Sequence, residues 1–199
     1  MHLFAASGLP DRTLYTSITS DTGKPALQLA DGQVIAYSHA RVRAEGRVAI
    51  VHALCRSHEV GLDAEIWANA ALDETFLESI RCQEDARTIG LLRHTGRDVA
   101  TALWVIKEAA LKWSGDIMRD PRHVSVTPFS SNRFAIDAST EAGSPVPACH
   151  VDVFIASLPD FPTHIPLIAV AHALQGSTDM NVSSLHFGIE PLRLGLSLR

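Results

Sequence analysis

Val99-Ala100-Thr101-Ala102-Leu103-Trp104-Val105-Ile106-Lys107-Glu108-Ala109-Ala110-Leu111-Lys112-Trp113-Ser114-Gly115 has the spacing of a helix. Val99, Leu103, Ile106, Ala110 and Trp113 recur at alternating steps of four and three residues, which draws one apolar stripe down the helix and leaves a second face free for chemistry. Gly115 follows the last periodic residue, where a left-handed helix stop is commonly placed. The second face carries Glu108 and Lys112, one turn apart and therefore neighbours. Taken alone they are an exposed ion pair worth about 0.3–0.5 kcal/mol.

The segment Val60-Gly61-Leu62-Asp63-Ala64-Glu65 gives that pair a context. Carboxylates at alternate positions of an extended segment project to one side, so Asp63 and Glu65 can both turn toward a hard cation, and Glu108 would add a third carboxylate. Mg²⁺ held by a few carboxylates and by the oxygens of a phosphorylated substrate is a common arrangement for phosphoryl chemistry.

Gly61-x-Asp63-x-Glu65, an interval of about forty residues, and Trp104-x-x-Lys107-Glu108-Ala109-x-x-Lys112 together resemble the signature of the 4'-phosphopantetheinyl transferases. Upstream, and in the same order, Gly23-Lys24-Pro25 and Ser38-His39 resemble the Gly-Lys-Pro and Ser-His motifs of the longer, surfactin-synthetase-activating branch. A lone D-x-E is weak, whereas four motifs in order over about ninety residues are specific, and the resemblance covers roughly residues 20 to 176. The resemblance implies an α+β fold of two similar halves in a pseudo-twofold arrangement, with coenzyme A in the cleft between them. It implies transfer of the 4'-phosphopantetheine arm of coenzyme A to a serine of an acyl or peptidyl carrier protein. Asp63, Glu65 and Glu108 match the Mg²⁺ ligands, and Glu108 would also take the serine proton. Lys112 would neutralise a phosphate oxygen, while Lys24, Ser38 and His39 match residues that hold the nucleotide's phosphates. The same reading gives a shortened N-terminal half (residues 1–60), a C-terminal half with the metal and catalytic motifs (61–176) and a tail (177–199). Ala64 stands where the family has a larger aliphatic residue.

Size and charge exclude several other classes. A chain of 199 residues that is 46% hydrophobic and 20% charged can bury a substantial core. Its formal charge of -5 argues against nucleic-acid binding, which rests on clustered Lys and Arg. Apolar runs such as 165–174 are too short to span a bilayer, and residues 1–10 have no basic leader, so a cytoplasmic protein is expected. Cys55, Cys82 and Cys149 have no metal-ligand spacing and read as reduced, small apolar residues. The one basic cluster, Arg41, Arg43 and Arg47, follows Ser38-His39. Its default is a solvated loop, yet Arg41 and Arg43 stand where a phosphate-rich ligand held by His39 can be touched.

Strands are expected at 14–18, Leu27–Leu29, Val34–Tyr37, Arg47–Leu54, 124–126, 133–136, 150–156 and 165–174, and helices at 71–80 and Gln83–His94. The Val34–Tyr37 boundary puts His39 just beyond a strand end. His52-Ala53-Leu54 and His172-Ala173-Leu174 each end a β-branched run and each close on a serine, Ser57 and Ser177, as a duplicated half-domain would give. A Ser38/His39/Asp63 hydrolytic triad is rejected, because adjacent Ser and His cannot easily face each other and no nucleophile elbow surrounds Ser38. The alternative to the enzyme is a non-catalytic relative that binds a carrier protein or coenzyme A as an accessory subunit. A shortened half leaves apolar surface uncovered, which a symmetric homodimer or the leucine-rich tail would cover.

Overall fold

The computed structural model describes residues 15–20, 23–44, 47–55, 59–66, 72–94, 98–130, 132–138, 147–155, 166–173 and 188–191. The chain is α+β, with ten strands in two antiparallel sheets and three α-helices among these residues. The first sheet has the order β1-β2-β3-β4-β10, from Tyr15–Thr19, Pro25–Leu29, Val34–Ala44, Arg47–Cys55 and Gly188–Pro191. The second has the order β5-β9-β8-β7-β6, from Val60–Ile66 (β5), Val124–Pro128 (β6), Arg133–Ala138 (β7), Cys149–Ile155 (β8) and Pro166–Ala173 (β9). The helices are α1 (Glu74–Ile80), α2 (Ala86–His94) and α3 (Val99–Ser114).

Strand alternation decides the layering. On β5, Val60, Leu62 and Ala64 pack with Ile168 and Val170 of β9 against Ala40, Val42, Val51 and Ala53 of the first sheet. The intervening residues, Gly61, Asp63 and Glu65, therefore turn to the opposite face, where α3 lies. Ala169, Ala171, Val151, Phe134 and Ile136 line that face and bury Leu103, Ile106 and Ala110 of α3 together with Leu77, Ile89 and Leu92 of the shorter helices. The second sheet is thus the middle layer, between the helices and the first sheet. Ala64 is 1% exposed within the inter-sheet core, so the small residue between the two acids allows a close approach of the sheets. A satellite cluster of Leu27, Leu29, Ile35 and Leu54, backed by Tyr15 and Tyr37, covers part of the first sheet's outer face.

The expected helix over Val99–Ser114 forms at those bounds. Asp98 caps its start by accepting from the Ala100 and Thr101 amides, and Gly115 (φ 83°) ends it, with Gly115 N–H donating to Lys112 O and Asp116 N–H to Leu111 O. Its apolar side is broader than the expected stripe: Ala102, Val105 and Ala109 are also fully buried, because small side chains let β5 and the neighbouring helices close on it. Asp73 caps α1, and Gln83–Asp85 forms a 3₁₀ turn ahead of α2 rather than part of one helix. The larger correction concerns β3, which runs to Ala44 and so holds His39, Arg41 and Arg43 inside a strand instead of a loop. Ala40 and Val42 alternate with them toward the sheet interface, which is why the strand continues. Of the tail, Gly188–Pro191 is described, as a strand on β4; the rest of 177–199 and residues 1–14 lie outside the described residues. Among the described residues no helix is long and apolar enough to cross a membrane.

Candidate functional site

The site is built where α3 crosses β5. Gly61 makes the crossing close, because a Cβ there would collide with the Ala109 carbonyl and with the backbone nitrogen and Cβ of Trp113. With the helix drawn in, Glu108 and Lys112 reach the strand face that carries Asp63. Lys112 Nζ donates to Asp63 Oδ1 at 2.7 Å and stands 3.7 Å from Glu108 Oε1. The Glu108/Lys112 pair is therefore half-buried and shared with a strand, not an exposed pair on a free face. Burial lifts the Asp63 carboxyl above its ordinary value against the pull of Lys112. Glu108 is raised too, first by burial and then by the charge of Asp63. Asp63 Oδ2 is buried with no hydrogen-bond partner.

Glu65 follows Asp63 on the same face of β5 and is partly buried. Among the described residues, however, no three His, Cys, Asp or Glu side chains form a group that could hold a metal ion. The three predicted ligands share one side of the helix–strand junction without converging on a point, and Lys112 is the cation that joins two of them. The donor set nevertheless suits a hard divalent cation: a single ammonium stands beside two carboxylates, and Asp63 Oδ2 is buried without a partner.

A cleft of about 440 Å³ opens beside this junction, lined by Lys24, Pro25, Tyr37, Ser38, His39, Arg41, Val60, Lys112, Gly115 and Ile117. Gly23 (φ 79°) turns the chain so that Lys24 enters β2 beside the C-terminus of α3. Lys24 Nζ donates to the Trp113 carbonyl and lies 3.1 Å from Glu59 Oε2, which places a cation at the negative end of the helix. Ser38 faces inward and its Oγ accepts from the Leu62 amide at 2.9 Å, tying β3 to β5 one residue before Asp63. Ser38 is thus a strut beneath the site. His39, on the opposite face of β3, is held below its ordinary pKa by burial, then by Arg41 and Lys112, so it is neutral at pH 7. Arg41 lines the cleft; Arg43, exposed two residues on, is not among its lining residues. Arg47 belongs to β4, and its side chain lies outside the description.

Comparison with known family models, with curated proteins and with solved structures finds no match to this chain.

Two features of the site escaped the sequence reading. Lys107, 0% exposed, pairs with the equally buried Asp85 at 2.6 Å and donates to the carbonyls of Ile80 and Pro121. Asp85 in turn accepts from the amides of Cys82 and Val126. This network locks α3, the end of α1 and β6 together next to Glu108. Its signal was legible, since Lys107 lies four residues after Leu103 and three before Ala110, within the apolar side. The second feature is Tyr37, whose ring stacks on His39 and on His52 (centroids 5.5 Å in both cases) and whose hydroxyl meets His52 Nδ1 at 2.7 Å. Nothing in the spacing of single residues announces it; it needs the β3–β4 register that sets His39 opposite His52.

Proposed function

We propose that this chain transfers the 4'-phosphopantetheine arm of coenzyme A to a serine of an acyl or peptidyl carrier protein. The observation that carries the reading is that Lys24, His39, Asp63 and the Glu108/Lys112 pair, from four separate stretches of sequence, gather around one cleft and its acidic edge. Lys24, Arg41 and Lys112 suit a ligand rich in phosphate, and a neutral His39 offers an N–H donor to a phosphate oxygen. The apolar wall at Val60 and Ile117 suits the uncharged arm.

In the reaction a serine hydroxyl attacks the phosphorus that bears the pantetheine arm. A P–O bond of the pyrophosphate breaks, and 3',5'-ADP leaves with the bridging oxygen. Glu108, lifted toward neutrality by burial and by Asp63, is suited to accept the serine proton. Lys112 and Lys24 counter charge on the phosphates. Asp63, Glu65 and Glu108 are the residues that would hold Mg²⁺, which supplies charge neutralisation at the pyrophosphate when bound.

The order of the two sheets supports the two-halved fold implied by the resemblance. Each is a four-strand meander, β1 to β4 and β6 to β9, with a fifth strand on the last one, β10 on β4 and β5 on β9. The registers correspond: His39 pairs with His52 and His150 with His172, while Gly188 pairs with His52 and Val60 with His172. The accessory-subunit reading draws on one observation, the lack of a three-carboxylate cluster among the described residues. Incubation with coenzyme A, Mg²⁺ and a panel of apo carrier proteins separates the two. A mass gain of one phosphopantetheine on a carrier is the result expected, and coenzyme A binding without any mass gain would leave the accessory role.

A further inference from the structure

We propose that Lys112 is a built-in counter-ion of the acidic site that a divalent cation displaces, so that loading the site turns this lysine from a partner of Asp63 into an anion-binding group of the cleft. The inference rests on the metal assignment of the reading above and does not depend on the transfer step. The ammonium lies between two carboxylates, 2.7 Å from Asp63 Oδ1 and 3.7 Å from Glu108 Oε1, where a cation bound by both would also have to lie. One positive charge does not neutralise two carboxylates. It also leaves Asp63 Oδ2 buried without a partner, an oxygen that a hard cation with several coordination positions would satisfy. A lysine and a divalent cation would repel each other strongly at such separations in a half-buried site, so the two are alternatives.

Lys112 has somewhere to go. Its side chain is 24% exposed, it already lines the cleft with Lys24, His39 and Arg41, and its flexible stem lets the ammonium swing without moving α3. The exchange links two binding events. A cation that frees Lys112 raises the affinity of the cleft for a phosphate-bearing ligand, and by reciprocity that ligand raises the affinity for the cation.

The test uses the full chain and does not measure turnover. Lys112 is probed by its rate of acetylation with trace acetic anhydride, read by peptide mass spectrometry in chelator and in saturating Mn²⁺, with Lys24 as internal reference. A several-fold rise at Lys112 alone is expected on loading. In calorimetric Mn²⁺ titrations, Lys112→Met is expected to bind about tenfold more tightly than the wild type, because the cation no longer displaces a competitor. Mn²⁺ binding that leaves Lys112 as unreactive as before overturns the inference and leaves the transferase reading standing. So does equal or weaker Mn²⁺ binding by Lys112→Met. A wild-type chain and a variant that both fail to bind Mn²⁺ overturn the inference together with the metal assignment.

Discussion

Asp63 carries its charge where burial works against it, and Lys112 does not fully offset that cost. A carboxyl whose pKa is higher in the folded than in the unfolded chain adds stability below the unfolded value and loses it as pH rises through the folded one. Asn has no proton to lose, so in chelator at pH 7 Asp63→Asn is expected to raise the melting temperature. The gain is about 2–4 °C per kcal/mol for a chain of this size, and it should vanish below the carboxylate range. A lower melting temperature for the variant at pH 7 would contradict the direction of the shift. His39 works in the other sense. Its depressed pKa means that its contribution to stability is present above the ordinary 6.5 and is lost as pH falls through the folded value. An NMR titration is expected to place its midpoint below 6.5 in the free protein, and 3',5'-ADP is expected to raise it by stabilising the imidazolium. A midpoint indifferent to the nucleotide would remove His39 from the phosphate site.

At the scale of elements, two residues fix α3 and hence Glu108 and Lys112. Gly61→Ala has no room at the helix backbone, so α3 must lift from β5, at a cost of about 1–3 kcal/mol. Urea unfolding checks that cost, and weaker Mn²⁺ binding by the variant checks that the acidic site moved with the helix. Lys107→Met would leave Asp85 as a buried charge without its cation, a loss of about 3–5 kcal/mol, part of which Asp85→Asn on the same chain is expected to restore because Asn keeps an acceptor for one of the two amides. Lys107→Met with wild-type stability would show that the pair does not hold the helix. The helix itself was legible because its apolar period, its cap and Gly115 agree. The length of β3 is not, because Arg41 and Arg43 read with Arg47 as a basic cluster in a loop, whereas Ala40 and Val42 carry the strand period between them. Asp63 and Glu108 were legible as partners through the resemblance. That a lysine would stand between them was not, since spacing along a helix does not say which neighbour a long side chain chooses across a strand.

For the whole molecule, the question is what completes the first sheet. Its open edge, the outer side of β4, is taken by β10 from the tail, in the place β5 holds on β9 in the second sheet. A strand edge left bare is a template for pairing with another chain, so the tail's return strand and a second copy of the protein are rival ways to satisfy the backbone of β4. With β10 in place the full chain is expected to sediment as a monomer at micromolar concentration. A chain ending at Gly176 keeps every described residue of the second sheet, α3 and the cleft, but loses β10, and it is expected to dimerise or aggregate through β4. Replacing Val51 or Ala53 by Pro in the shortened chain would be confounded, because both residues are buried in the inter-sheet core. The cleaner control adds a synthetic peptide covering residues 184–195 and asks whether it returns the shortened chain to a monomer. A shortened chain that stays monomeric with unchanged stability would mean that β10 is dispensable to the fold, and a full chain that dimerises would give the edge to the second copy.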